Sequence, residues 1–150
     1  MKKSDIAVEN FESGYNCAQS VAAALCEEFG MSREEVLKIS EGFGGGMGRM
    51  RSVCGAVTGM FMLAGLKYSK GEAGDMETRK VIYAKVQELA KEFEKEAGSI
   101  ICAELLEGVM PENKDATPTP RTNEFYKKRP CSEYVRLATQ IAEKHLLAGE

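Results

Sequence analysis

The chain has 150 residues, 43% of them apolar and 29% charged, with a net charge of −3. That length suits one domain over residues 1–150, able to bury its own core. No basic stripe dominates, which argues against nucleic acid as a partner, and the short run Lys127, Lys128, Arg129 reads as solvated surface. The N-terminus has no apolar signal-peptide core. The most apolar run, Val53 to Leu66, is short for a membrane span and suits a buried helix. The expected compartment is the reducing cytoplasm, where a set of cysteines is more often catalytic, redox-active or metal-binding than a disulfide framework.

Residues 5–13 read as a first helix, capped by Ser4 or Asp5, with Ile6, Ala7 and Phe11 inward and Ser13-Gly14 as its break. Asn16 caps a second helix, 16–29, whose first turn holds Cys17; Cys17, Val21 and Ala24 share one face. Cys26 falls on the opposite side, and Gly30 closes the helix. Ser32 opens a third helix, with Glu35 as the return half of a capping box. Glycines at 42, 44, 45, 46 and 48 stop it near Glu41, because each costs up to about 1 kcal/mol in a helix interior.

A fourth helix, Ser52 to Leu66, is apolar on nearly every side and is expected at the centre. Its Gly55 and Gly59 stack on one face and admit a close neighbour, either a helix or a cofactor. The longest helix, about 75–97, carries the stripe Ile82, Val86, Leu89 and Phe93 and ends at Gly98; its surface suits a homodimer. Ser99 caps a short helix, 100–107, with Cys102 in its first turn. Residues 108–129, with Pro111, Pro118 and Pro120, read as a long irregular connection. Pro130 begins a last helix to about Leu147, with Cys131 just inside and Tyr134, Leu137, Ala138 and Ile141 inward. No period-two alternation survives a count. The expected fold is all-α, a single-domain bundle of about six or seven helices around a central apolar helix.

On this reading Cys17, Cys54, Cys102 and Cys131 each fall in the first turn of a helix. The positive end of a helix favours thiolate over thiol, and Arg49 and Arg51 near Cys54 push the same way. Cys26 stands outside the pattern. The spacings contain no CxxC, so any site must be assembled by tertiary packing. The loop Gly44, Gly45, Gly46 with Arg49 and Arg51 is a candidate cofactor or anion contact, although it matches neither GxGxxG nor a P-loop; its alternative is a tight turn beside the central helix. His145, the one histidine, reads as a satisfied structural residue, and the methionines near Cys54 read as core filling.

The hexapeptide CGAVTG at 54–59 and the preceding FGGGMGR at 43–49 resemble the redox-active protein family named C_GCAxxG_C_C, as do the chain's length and the order of its cysteines. Carried over, the family's four signature cysteines fall on Cys17, Cys54, Cys102 and Cys131, and Cys26 matches none. The resemblance implies a redox or metal-cluster role. Related domains fused to cytochrome modules imply electron transfer or an iron–sulfur cluster, and the absence of CxxCH argues against covalent haem. Three functions follow. The first is thiol–disulfide or electron-transfer chemistry with an unidentified redox partner and Cys54 as the attacking thiolate. The second is an iron–sulfur cluster or zinc held by the same four cysteines. The third is a non-catalytic helical interaction protein.

Overall fold

Small residues on two helices decide how the chain packs. The computed structural model describes residues 1–108 and 115–147. Its helices are α1 (Lys3–Glu12), α2 (Cys17–Leu25), α3 (Arg33–Ser40), α4 (Gly55–Tyr68), α5 (Met76–Ala97), α6 (Cys102–Leu105), α7 (Asn123–Lys128) and α8 (Cys131–Ala142). The fold is all-α: among the described residues no strand forms, and one isolated bridge joins Val53 to Ile101. Among those residues no helix is long and apolar enough to cross a membrane.

Every residue of α2 from Ala18 to Leu25 is buried, and so are Gly55 to Met60, Leu63 and Ala64 of α4. The two helices lie face to face because α4 shows glycine where α2 crosses it. A Cβ on Gly59 would come within 3.0 Å of the Val21 Cβ, and one on Gly55 within 2.9 Å of the Ala18 backbone nitrogen. The glycine face expected to admit a helix or a cofactor therefore admits α2. The apolar helix read as central is surrounded as expected, and α2 shares that position with it.

Polar side chains then fix the register of the outer helices. Asn16 and Gln19 form a reciprocal capping box at the start of α2. Ser32 accepts the Glu35 N–H and starts α3. Gly30 and Gly98 close their segments in the left-handed region. Asn10 donates to the Ser20 carbonyl and accepts from Arg33, while Asp5 pairs with Arg136 at 2.7 Å and holds α1 against α8. On α5 Leu89 and Phe93 are fully buried and Ile82 and Val86 half-buried, leaving Val81 and Tyr83 exposed. His145 binds Glu88 of α5 through Nδ1 at 2.7 Å.

The stretch read as irregular holds α7, which starts where the Thr122 hydroxyl accepts the Phe125 N–H. Pro111 and its neighbours in that stretch lie outside the described residues. The last helix ends at Ala142 and continues to Leu147 as one wider, π-type turn.

Candidate functional site

Each of the four signature cysteines opens a helix. Cys17, Cys102 and Cys131 are the first residues of α2, α6 and α8, and Cys54 is the residue just before α4. The fold brings these starts together. Cys17 and Cys131 are each the largest influence on the other's thiol, and Cys54 feels both Cys102 and Cys131. All five cysteines are free thiols. Cys26 sits apart, buried, with its thiol on the Ala23 carbonyl at 3.7 Å.

The glycine-rich segment positions two of these sulfurs. Gly45, Gly46 and Gly48 adopt positive φ, and so do Met47, Arg49 and Arg51. For a non-glycine residue that conformation costs roughly 1–2 kcal/mol, so the turn persists only because its surroundings fix it. Backbone bonds do so: Ser52 N–H donates to the Gly46 carbonyl at 2.8 Å, Cys54 N–H to Ile100 at 2.8 Å, and Cys102 N–H to Ser52 at 2.6 Å. A Cβ on Gly46 would lie 2.6 Å from the Cys102 Cβ. Glycine at 46 is thus what lets the turn rest on the start of α6.

Beside the thiols lies a cavity of about 340 Å³, lined by Cys17, Cys54, Cys102, the glycine turn and four arginines: Arg49, Arg51, Arg121 and Arg129. Cys131 touches Cys17 but does not line the cavity. Arg49 reaches across to the Asp115 carboxylate at 3.2 Å and the Thr119 hydroxyl at 3.1 Å. Arg121 donates to the carbonyls of Phe11 and Tyr15, both at 2.9 Å, and stacks on the Phe11 ring. Arg129 lies over Phe125. Arg51 is only 3% exposed and places Nη1 3.6 Å from the Cys102 sulfur.

These surroundings separate the thiols. The neighbouring Cys17 thiol holds the Cys131 thiol below the ordinary range, and Arg129, Arg121 and Arg51 act in the same direction against burial. Cys17, the other member of that pair, is pushed well above the ordinary range, with burial adding to the effect. Burial pushes Cys54 up to about 12, against the pull of the Ala56 and Val57 N–H groups. Burial also raises Cys102, against the opposing effect of Arg51. Among the four, Cys131 is therefore the sulfur whose thiolate the site favours, with Cys17 kept as a thiol beside it.

Two expectations change here. Arg49 and Arg51 were read as activating Cys54, but Arg51 is turned toward Cys102 and Cys131, and Cys54 is left a buried thiol. Arg129 was read as solvated surface; it is half-buried and faces the sulfurs, while the side chains of Lys127 and Lys128 lie outside the described residues. Arg121, Arg129 and Phe125 were not singled out in the sequence. The signal available for Arg129 was its place two residues before a helix-starting cysteine.

Gly44, Gly45, Gly46, Arg49 and Arg51, the candidate cofactor contacts, all line the cavity. The turn itself offers little as a backbone cradle, because the N–H groups of residues 48–52 donate to carbonyls inside it. The thiols do not form a single-ion site either: among the described residues no three Cys, His, Asp or Glu side chains could hold a metal ion. Zinc therefore does not fit the arrangement as it stands.

An all-α scaffold that collects free thiols from four helix starts beside an arginine-lined cavity is a helical protein with a clustered-cysteine site. The family model described as "Putative redox-active protein (C_GCAxxG_C_C)" matches residues 15–145, and the chain belongs to that family. The printed pattern sets the glycine before the cysteine, whereas this chain reads Cys54-Gly55-Ala56. No curated protein and no solved structure matches the chain.

Proposed function

We propose that the chain is a thiol–disulfide redox protein whose working pair is Cys17 and Cys131. The observation that carries this reading is that α2 and α8 pack together with Cys17 and Cys131 as their first residues, each the largest influence on the other's thiol, one drawn toward thiolate and the other held as thiol. Disulfide formation needs the two helix starts to bring these sulfurs into bonding geometry.

Cys17 faces the cavity and meets the substrate disulfide. As its sulfur attacks, its proton passes to the neighbouring Cys131 thiolate, and the substrate S–S bond breaks to release one thiolate. Cys131, now a thiol, then attacks the Cys17 sulfur of the mixed disulfide. Its proton leaves with the second substrate thiol. A thiol, a thiolate and one disulfide become one protein disulfide, one thiol and one thiolate, with two electrons passed to the substrate. A dithiol reductant reverses the change. The arginines stabilise the thiolate at each stage. Cys54 and Cys102 remain protonated on the same cavity wall.

The test is a thiol count on reduced and mildly oxidised protein, repeated on Cys131→Ser. The wild type loses two thiols reversibly. Cys131→Ser loses the reversible two-thiol step, because it removes both the base for Cys17 and the resolving sulfur. Oxidation that consumes no thiol pair would refute the dithiol. So would protein purified without oxygen that carries stoichiometric iron and sulfide on the four cysteines.

A further inference from the structure

We propose that the cavity beside Cys17 is an anion-binding site centred on Arg51, and that the disulfide reduced there is a small molecule bearing a carboxylate. This rests on the dithiol reading above and adds to it the charge of the substrate.

Arg51 is the observation that points to a ligand. It is 3% exposed, lines the cavity, and spends Nη1 on the Cys102 sulfur. Its Nε and Nη2 are fully buried and have no hydrogen-bond partner among the described residues. A charged donor left in this way is destabilising unless something satisfies it. Arg129 adds a second positive charge beside it, and among the described lining residues Glu41 is the one carboxylate. Arg121 is committed to the carbonyls of Phe11 and Tyr15.

The backbone of the glycine turn has few N–H groups to offer, so recognition falls to the guanidinium. Nε and Nη2 are adjacent donors in one plane, the fork that a carboxylate accepts with both oxygens. A cavity of about 340 Å³ takes a small molecule and not a folded partner. Cys17 opens onto the same space, so an anion held by Arg51 presents the rest of its molecule to that sulfur.

Two disulfide reagents test this directly: dithiobis(nitrobenzoate), which carries carboxylates, and dithiodipyridine, which is uncharged near neutral pH. Their rates with the reduced protein are compared as a ratio at one pH, which cancels any change in thiolate fraction. Arg51→Gln lowers the carboxylate-to-neutral ratio about tenfold, and Arg51→Lys restores part of it. Inorganic phosphate, at constant ionic strength, slows the carboxylate reagent on wild type and leaves the neutral one alone. If Arg51→Gln fails to fold, the phosphate competition on wild type decides. A ratio unchanged by the substitution, or by phosphate where the variant fails, removes the anion site while leaving the dithiol standing. If neither reagent oxidises Cys17 and Cys131, the dithiol reading falls and this inference with it.

Discussion

The starts of α4 and α8 make an instructive pair. Each is marked by a buried cysteine with backbone N–H groups exposed by the helix beginning, and each cysteine neighbours the same sulfurs. Yet Cys131 is drawn toward thiolate while Cys54 is pushed up to about 12. The helix end is common to both, so it does not decide. What differs is the company: Cys131 has the Cys17 thiol and three guanidinium groups, whereas Cys54 has apolar burial and two N–H groups. Burial is costly to a thiolate, and a helix terminus alone does not repay it.

The strongest way to break this contrast is to remove each cysteine in turn. Cys131→Ser abolishes intramolecular disulfide formation, whereas Cys54→Ser leaves the two-thiol loss intact, as a thiol count after mild oxidation would register. Equal loss in both variants would mean that the two helix starts act as one unit.

A stability measurement probes the scaffold beneath the site. Gly46→Ala puts a Cβ 2.6 Å from that of Cys102 at a φ of 73°. It should cost about 3 kcal/mol in denaturant unfolding, by strain and overpacking together. Gly42→Ala, where a Cβ meets nothing within 4 Å, serves as the mild control.

A smaller effect sharpens the electrostatic claim. The Cys131 thiol is held below its ordinary range, so the oxidation rate persists to lower pH than an ordinary thiol's and falls as pH drops through that lowered value. Arg129→Gln removes one of the charges that lower it, so the fall begins at higher pH and the rate on the acid side of the profile drops several-fold. A pH–rate profile identical to wild type would take Arg129 out of the account. The smallest effect belongs to Cys26→Ser, which leaves the redox behaviour unchanged and costs about 1 kcal/mol of stability, since Cys26 is buried away from the cluster.

The helix starts on both sides of this contrast were legible in the sequence, the contrast itself was not, and the reason is physical. Asn16 before Cys17, the glycines before Cys54 and Pro130 before Cys131 are local signals, and each marked a helix start that the structure contains. Gly55 and Gly59 likewise announced a close approach, which α2 makes at Ala18 and Val21. The distribution of charge was not local. Arg51 lies three residues from Cys54 yet serves Cys102, because the positive-φ turn swings its side chain toward α6. Arg121 acts on Cys17 and Cys131 only because the segment from 115 to 130 folds back over α1, where Phe11 and Tyr15 hold it. Proline-rich sequence gave no hint of that return, nor of α7 within it.

One peptide map bears most directly on the pairing itself. Protein oxidised to the loss of two thiols, blocked and digested, should yield a single major cross-link, between the peptides of Cys17 and Cys131. A cross-link of Cys54 to Cys102 with Cys17 still free would contradict the account, because it would place the reactive thiolate at the helix start where burial forbids it.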